Sequence, residues 1–381
     1  MTTIINNEHN KLNVPNLRFP EFQGEWEKYR LGDVCTFLSG GTPKIDVKEY
    51  WNGTIPFVSA ISMHDTYILD SKLHISEEGL KHGSRLLTKN NLLLLVRGSM
   101  LWNTIPICLN KNDVAFNQDV KGIIANDTIN NEFLLYWLKS KEQRLKYMVT
   151  GTGLGAGKLD TSDLQSMIVY IPAMKEQDKV ARLLSLFDER IATQSKIIDK
   201  LQSLIKGIVQ KIVSCNKPNV RLSECLECKS STLQESDVCE HGIYPVYGAN
   251  DIVGYLDNYN TEGEAVYIIK DGSGVGTVSY VTGKCSATGT LNTLQAKEGY
   301  SLQYLYYLLK VFNFEPYKTG MAIPHIYFKD YSKAKVFCPS YTEQLQYAQL
   351  LSAIESKLSM EKNILTELSL QKQCLLRQMF I

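Results

Sequence analysis

The fold is decided by a stretch of sequence that occurs twice, as Leu164-Gln-Ser-Met-Ile-Val-Tyr-Ile-Pro172 and as Tyr331-Ser-Lys-Ala-Lys-Val-Phe-Cys-Pro339. A Glu-Gln pair follows each copy, at Glu176-Gln177 and at Glu343-Gln344, so the two copies keep a constant offset of 167 positions. Similarity that continues without a gap at such a distance indicates a duplicated unit.

Earlier pieces of the chain match in the same order. Phe133–Lys139 resembles Tyr304–Lys310, and Arg30-Leu31 resembles Arg221-Leu222. The offset changes between these pieces, as insertions in loops would cause. The sequence therefore predicts a tandem duplication, in which each copy has short β-rich runs separated by Gly, Asn and Ser and then a long helical pattern.

The two helical patterns contain no proline and run from about Lys175 to Val213 and from about Glu343 to Ile381. Ser340-Tyr-Thr-Glu343 predicts a capping box at the start of the second. Apolar residues recur in both at alternating steps of four and three, the heptad of a coiled coil. The predicted contact positions are Val180, Leu184, Phe187, Ile191, Gln194, Ile198, Leu201, Ile205, Ile208 and Ile212, and their equivalents Tyr347, Leu351, Ile354, Leu358, Glu361, Leu365, Leu368, Lys372, Leu375 and Met379.

Helices of this length are too long to pack on one globular domain, since about 38 residues at about 1.5 Å each span about 57 Å. We expect them to pair with each other, and antiparallel pairing lets each helix begin where the other ends. The predicted fold class is α+β: two mixed α/β domains separated by two long antiparallel helices that form an intramolecular coiled coil, a pseudo-two-fold tandem repeat. The predicted boundaries are 1–172 and 215–340 for the globular domains, and 173–214 and 341–381 for the helices.

Composition excludes several classes of protein. The 381 residues are 44% hydrophobic and 21% charged, a balance typical of folded rather than disordered chains. No apolar run approaches the roughly 18 residues of a membrane span, and residues 1–12 lack the apolar core of a signal peptide. The nine cysteines are scattered along a long chain, which favours reduced thiols. These features predict a cytoplasmic protein without a membrane partner.

Several catalytic motifs are missing from the sequence. It has no Gly-x4-Gly-Lys-Ser/Thr loop for nucleotide hydrolysis and no Asp/Asn-Pro-Pro-aromatic run of an adenine methyltransferase. The glycine-rich runs Gly151–Gly157 and Asp271–Gly276 do not open the helix of a βαβ unit, which favours turns or close backbone approach. Asp119-Val-Lys121 is too small a fragment for a nuclease centre, and His64 and His325 have no evident triad partners. No catalytic residue is predicted.

One set of residues has the spacing of a zinc site. Cys225-x2-Cys228-x10-Cys239-x-His241 supplies four ligands that could close a tetrahedral site. Cys225 and Cys228 align with Val34 and Phe37 of the first copy, however, so small buried cysteines in strand positions are the simpler explanation. Both interpretations stay open, and no metal site is predicted.

Motifs along the whole chain are similar to those of one protein family. Val14–Phe22 with Glu25-Trp26, and then Ser39-Gly-Gly-Thr-Pro43, resemble the opening and the first target recognition domain of specificity (S) subunits of type I restriction–modification systems. The proline and the Glu-Gln pair before each long helix resemble the starts of that family's two conserved helices. The second copy has Lys229-Ser-Ser-Thr232 where the first has Ser-Gly-Gly-Thr, which fits two recognition domains with different base preferences.

The resemblance implies a non-catalytic subunit that reads a bipartite, asymmetric site in double-stranded DNA. It also implies partners: methyltransferase (M) subunits that modify adenine N6, two of them, and restriction (R) subunits. S-adenosylmethionine, ATP and Mg²⁺ would belong to those partners, so no cofactor is expected on this chain. The alternative is a non-enzymatic two-domain scaffold that binds a polypeptide or a glycan.

The candidate DNA contacts are polar residues of predicted loops, because such side chains bind phosphates and base edges. The formal net charge is only +1, so partners would have to supply much of the phosphate contact. The candidates are Thr42, Lys44, Ser59, Ser62, His64, Arg97, Ser99, Asn103, Gln118 and Lys158 in the first domain, and Ser230, Ser231, Tyr247, Asn250, Lys270, Ser273, Lys284 and His325 in the second.

Overall fold

The structure is a computed structural model that describes residues 13–153, 155–320 and 323–381. It divides into two compact units: the described residues up to Thr193 together with Leu365–Ile381, and Gln194–Ile364. Residues 1–12, where the sequence predicts no signal peptide, and Leu154 of the first glycine-rich run lie outside the described residues. Within the described ranges, no helix is long and apolar enough to cross a membrane.

The first unit consists of small sheets and short helices around an apolar core. The largest sheet has the order β2-β11-β7-β9-β4, beside β5-β3-β10-β6, β12-β13-β8 and the pair β1-β14. The strands are β1 (Glu27–Arg30), β2 (Cys35–Ser39), β3 (Ile55–Val58), β4 (Tyr67–Ile68), β5 (Leu73–Ile75), β6 (Leu86–Leu87), β7 (Leu92–Leu95), β8 (Arg97–Gly98), β9 (Ile107–Asn110), β10 (Val114–Phe116), β11 (Val120–Ala125), β12 (Thr150–Gly151), β13 (Gly157–Lys158) and β14 (Ile168–Ile171). The helices are α1 (Leu31–Val34), α2 (Glu77–Lys81), α3 (Asn131–Ser140), α4 (Glu142–Tyr147), α5 (Thr161–Ser166) and the start of α6 (Met174–Cys215).

The second unit repeats this plan with fewer strands. Its sheets have the orders β16-β22-β19-β20, β18-β17-β21 and β15-β23. The strands are β15 (Val220–Arg221), β16 (Leu226–Ser230), β17 (Tyr244–Gly248), β18 (Asp251–Leu256), β19 (Ala265–Ile269), β20 (Val278–Val281), β21 (Ser286–Ala287), β22 (Leu291–Ala296) and β23 (Lys335–Val336). The helices that begin in it are α7 (Leu222–Cys225), α8 (Leu302–Val311), α9 (Phe328–Tyr331) and α10 (Tyr341–Gln378).

Strand pairing confirms the tandem repeat predicted from the sequence. The order β2-β11-β7-β9 corresponds to β16-β22-β19-β20, and the parallel pair β3·β10 corresponds to β17·β21. Arg30 lies opposite Ile168 in the pair β1·β14, and Arg221 lies opposite Lys335 in β15·β23. These are the same positions of the two copies, so the duplication holds at the level of single residues.

The two long helices begin and end close to their predicted bounds. Ser340 and Glu343 form the predicted capping box: the Ser340 N–H donates to Glu343 Oε2 (3.1 Å), and the Glu343 N–H donates to Ser340 Oγ (3.4 Å). Every predicted contact position of the two helices is buried or half-buried. The heptad therefore identifies the apolar seam correctly.

Contacts within each unit show how the helices run. In the first unit, Val180 belongs to the same core cluster as Phe380, and further along α6 Asp188 accepts a hydrogen bond from Lys372. As residue numbers increase along α6, the residue numbers of its contacts on α10 decrease, so the two helices are antiparallel. In the second unit, Gln194 Nε2 donates to the backbone oxygen of Glu361 (3.1 Å) and to its carboxylate. Gln194 and Glu361 are equivalent residues of the two copies, so this contact joins the same position of the two long helices.

A buried glutamine ties the first globular repeat to α6. Gln177 is 1% exposed, and its Oε1 accepts a hydrogen bond from the N–H of Asn130, the N-cap of α3 (2.7 Å). Its Nε2 donates to the backbone oxygens of Pro172 (2.9 Å) and Thr128 (3.0 Å). One side chain therefore joins the end of β14, the loop before α3 and the first turn of α6.

The second repeat uses the same device. Gln344 is 2% exposed, accepts from the N–H of Ser301, the N-cap of α8 (2.9 Å), and donates to the oxygen of Pro339 (2.9 Å). Because buried polar groups are costly unless paired, this geometry explains why a glutamine stands at both equivalent positions.

A second anchor joins the middle of each short helix to the long one. Tyr136 of α3 donates to Asp188 Oδ2 (2.9 Å), and Tyr307 of α8 donates to Glu355 Oε2 (2.8 Å). Burial, aided by the carboxylate, raises the pKa of both phenols, so they stay protonated and act as donors. Each globular repeat is thus fixed to a long helix at two points.

The glutamine anchor gives a stability prediction. Gln177→Leu leaves the Asn130 N–H and the Pro172 oxygen buried without their partner, so the free energy of unfolding in urea should fall by about 1–3 kcal/mol. Lys175→Ala, at an exposed position of the same helical turn, is the control and should change it by less than about 0.5 kcal/mol. Equal stability of the two variants would show that Gln177 does not hold the junction.

Candidate nucleic-acid interface

Each repeat has a glycine turn followed by a basic residue, and the backbone of that residue pairs with a segment that contains another cation. In the first unit β13 lies between β12 and β8, and Lys158 is the register partner of Arg97. In the second unit isolated bridges join His325 to Asp271 and to Thr319, and the Ile326 N–H donates to the oxygen of Lys270 (2.9 Å). Lys158 and His325 are separated by the repeat offset, and the Leu159 N–H donates to the oxygen of Val96 (2.8 Å) as Ile326 does to Lys270, so the backbone pairing is equivalent. The residue opposite the basic side chain differs, being Arg97 in the first repeat and Asp271 in the second.

Left-handed glycines occur in both glycine-rich runs and in the turn before His325. In the second run, Gly272 and Gly276 have φ of +98° and +91°. Gly153 and Gly320 occupy equivalent positions, with φ of +82° and +89°. A Cβ at Gly320 would lie 2.4 Å from the oxygen of Ile323. Both turns use the left-handed region that favours glycine. The left-handed glycines agree with the predicted turns, and Asp271–Gly276 contains one.

In the first unit the turn lies beside three cations, which we call the first basic cluster: Arg97, Lys121 and Lys158. Lys121 Nζ donates to Ser39 Oγ (2.5 Å), and Lys158 pairs with Asp160 (2.5 Å). Partial burial and the positive charge of Arg97 lower the pKa of Lys121. This mutual repulsion would be relieved by an anion, such as a phosphate, or by the acceptor edge of a guanine.

The Ser39-Gly-Gly-Thr-Pro43 run packs against the end of β10. A Cβ on Gly40 would lie 2.2 Å from the oxygen of Phe116, so only glycine fits there. The close approach brings Thr42 to Gln118, whose Oε1 accepts a hydrogen bond from Thr42 Oγ1 (2.7 Å). Both are exposed predicted candidates, and the fold places them side by side.

The corresponding segment of the second unit is open. Lys229-Ser-Ser-Thr232 lines a polar cavity of about 740 Å³. Ser231 Oγ accepts a hydrogen bond from Asn260 Nδ2 (3.1 Å), and Lys229 Nζ donates to Gln295 Oε1 (2.7 Å). The two repeats therefore present different chemistry at the same place in the fold.

The remaining candidates fall into two groups. The side chains of three candidates contact other side chains of this protein. Ser62 and Ser71 are joined by a hydrogen bond (2.8 Å), the Tyr247 ring packs on Tyr267 (5.7 Å between centroids), and Lys284 lies over the Tyr259 ring (4.8 Å). Ser59 is half-buried, and its oxygen accepts from the Ser62 N–H (2.9 Å). The others are exposed: Lys44, His64, Ser99, Asn103, Asn250 and Ser273.

The structure adds two candidate positions that the sequence pattern does not identify. Lys121 is a single charge within the otherwise apolar run of β11, which is the signal that could have marked it. Trp102 is half-exposed, and its Nε1 donates to the oxygen of Gly155 (3.0 Å), so it holds the tip of the glycine turn. Nothing in the sequence spacing connects Trp102 with that turn.

The possible zinc ligands are not brought together. Among residues 13–153, 155–320 and 323–381, no three His, Cys, Asp or Glu side chains are close enough to share a metal ion. The expectation of cysteines in strand positions is only partly right: Cys228 lies in β16, but Cys225 is the last residue of α7 and is fully buried. In the Asp119–Lys121 fragment, Asp119 accepts from Asn117 Nδ2 (3.2 Å).

Comparison with known proteins decides the family. The sequence model described as "Type I restriction modification DNA specificity domain" matches residues 23–203 and 217–370, one match for each repeat. This chain belongs to that family. The two matches together cover most of the chain and agree with the duplication seen in the strand pairing.

Relatives within the family are distant. The chain is 30% identical to the EcoR124I/EcoR124II specificity subunit of Escherichia coli over 174 residues, 45% of this chain and 43% of the relative. It is 28% identical to the MjaVIII specificity subunit of Methanocaldococcus jannaschii over 255 residues, 62% and 57% of the two chains. The chain thus spans about half the length of these curated relatives. The S subunit of a type I restriction–modification system from M. genitalium shares the fold, with a TM-score of 0.68, 20% identity and coverage of 97% of this chain and 99% of that one.

Reciprocal substitutions test the packing of the glycine run. Gly40→Ser copies the residue of the second repeat into the first and forces a side chain against the Phe116 oxygen, so the free energy of unfolding should fall by about 2–3 kcal/mol. Ser231→Gly makes the opposite change in the open cavity and should cost only about 1 kcal/mol, from lost hydrogen bonds. Equal costs in urea unfolding would contradict the difference between the two loops.

Proposed function

We propose that this chain is the DNA sequence-recognition subunit of a type I restriction–modification complex and that it carries no catalytic site of its own. The observation that carries the proposal is a basic residue after the glycine turn of each repeat, Lys158 in the first and His325 in the second. Each lies beside a segment with another cation, Arg97 in the first repeat and Lys270 in the second. Side chains of these types bind DNA phosphates and base edges. Membership of a DNA specificity family supports this function over a scaffold for a polypeptide or a glycan.

We propose further that each repeat reads one half of a bipartite, asymmetric site. Residues 1–172 and 215–340 would be the target recognition domains, and 173–214 and 341–381 the helices that space them. The packed Gly40 loop and the open Ser231 cavity differ in chemistry, which supports different base preferences. The polar loop residues predicted from the sequence remain candidate contacts, to which we add Lys121.

The proposed partners follow from the low charge. Because the formal net charge is +1, this chain alone would release few counterions on binding DNA, and M subunits, two of them, would supply further phosphate contacts. R subunits complete the proposed complex. S-adenosylmethionine, ATP and Mg²⁺ would be bound by these partners, which act on DNA in the cytoplasm, and adenine N6 is the proposed site of methylation.

Two matched double variants test the division between half-sites. Arg97→Ala with Lys158→Ala should weaken or relax recognition of one half-site, and Lys270→Ala with His325→Ala should affect the other, each lost base contact costing about 1–3 kcal/mol. The readout is methylation mapping of host DNA in cells that carry the variant with its native M subunits, with Lys175→Ala as control. A change in both half-sites from either variant would contradict separate reading.

The helices provide a second test, of spacing. Insertion of one heptad after Gln194 and another after Glu361 keeps the seam in phase and adds about 10.5 Å at about 1.5 Å per residue. We expect the gap between half-sites to lengthen by about three base pairs at about 3.4 Å each, with both half-site sequences kept. Methylation mapping gives the gap directly. An unchanged gap at full activity would show that the helices do not set the spacing, and either insertion alone should lower stability by misaligning the seam.

A further inference from the structure

Two buried cysteines meet where the second globular repeat joins α10. Cys225 ends α7 and is 0% exposed, and Cys338 lies between β23 and α10 and is 6% exposed. The two thiols interact with each other, and Cys225 Sγ also donates to the backbone oxygens of Leu222 (3.4 Å) and Arg221 (3.5 Å). Both cysteines are free, so the contact is between two thiol groups.

The backbone holds the two sulfur atoms in this contact. Asn219 fixes Cys338 from both sides: its Oδ1 accepts from the Cys338 N–H (2.8 Å), and its Nδ2 donates to the Cys338 oxygen (2.7 Å). On the other side, β15 pairs with β23, and the Leu222 N–H at the start of α7 donates to the oxygen of Ala334 (3.0 Å). Both thiols therefore lie on segments that are hydrogen-bonded to each other.

The first repeat shows that the fold does not need thiols here. The equivalent residues are Val34 and Ile171, which are buried at 2% and 4% exposure in the apolar core. Aliphatic side chains therefore satisfy the packing of this junction. The second repeat has two thiols at a place where the first has none.

The environment gives the two sulfurs different reactivity. The hydrogen bond from Cys225 lowers the pKa of Cys338, because it stabilises the thiolate. The same hydrogen bond and burial raise the pKa of Cys225, which keeps its proton. Since the thiolate is the nucleophile in cysteine oxidation, Cys338 would react first and Cys225 would resolve the product.

We propose that Cys225 and Cys338 are a redox pair that hydrogen peroxide converts to an intrachain disulfide. The Cys338 thiolate attacks one peroxide oxygen, an S–O bond forms, the O–O bond breaks, and the released hydroxide takes a proton to leave as water. The Cys225 sulfur then attacks the resulting sulfenic acid, an S–S bond replaces the S–O bond, and a second water leaves with the remaining proton. Two thiols lose two electrons, and one peroxide is reduced to two waters.

The disulfide would close a loop that contains strands β16 to β23 of the second repeat, with β15 just outside it. A cross-link across so long a loop restricts the unfolded chain strongly. Oxidation would therefore lock the second repeat onto the start of α10. This inference concerns the chain's own chemistry and does not depend on the proposed DNA site.

The test uses the full chain, treated with a small molar excess of hydrogen peroxide, alkylated and digested for mass spectrometry. We expect a peptide that links Cys225 to Cys338 with the loss of two hydrogens, and its disappearance after treatment with a dithiol. The midpoint of thermal unfolding of the oxidised chain should rise by about 5–10 °C, and the dithiol should reverse this rise.

Two variants that copy the residues of the first repeat serve as controls, Cys225→Val and Cys338→Ile. Both should fold, give no linked peptide and show no rise in the unfolding midpoint with peroxide. The exposed cysteines Cys215, Cys239 and Cys374 act as an internal measure that peroxide has reacted. If these three are oxidised while Cys225 and Cys338 stay reduced, or if the links found join other cysteines, the proposal is wrong.

Discussion

The structure depends on one buried amide group in each repeat. Gln177 and Gln344 connect the end of a strand, the N-cap of a short helix and the first turn of a long helix. An amide is suited to this place because it donates and accepts at once, and both functions are used here. The glutamate before each glutamine differs: Glu176 is buried and accepts from Arg18 and Trp26, whereas Glu343 is exposed and caps α10. Of the repeated pair, the glutamine alone keeps its role.

The apolar seam between the long helices is interrupted by a polar pair, Gln194 and Glu361, which are equivalent residues of the duplication. Where a residue faces its own equivalent, the two must be compatible with each other, and here Gln194 faces Glu361. Lys357 also pairs with Glu361 (2.5 Å), and these two hydrogen bonds lower the pKa of the carboxyl, so it remains an acceptor for Gln194. Polar residues at single seam positions fix register at some cost in stability. Divergence of the two copies made this hetero-pair possible, since two identical glutamates would repel each other.

The sequence was sufficient for everything that depends on periodicity or on the repeat. The helices, their seam, the capping box and the strand correspondence all follow from spacing along the chain. The first basic cluster could not be predicted in this way. Arg97, Lys121 and Lys158 belong to three separate strands, which only the sheet pairing brings together. Tyr247 shows the opposite limit: its polar group suggested a contact residue, but its ring packs against Tyr267 of the apolar core. Composition alone does not distinguish a tyrosine that faces solvent from one that fills a core.

The two repeats show which constraints a duplicated chain can relax. Positions that join the globular part to its helix keep hydrogen-bonding geometry, as Tyr136 with Asp188 and Tyr307 with Glu355 do, even though the carboxylate has changed length. Positions in the loops have changed in both residue type and packing. Gly40, where a Cβ would clash, is replaced in the other copy by Ser231, which lines an open cavity. A loop can change its chemistry without cost to the anchor because the anchor lies on other elements. This separation lets one architecture support two surfaces of different chemistry.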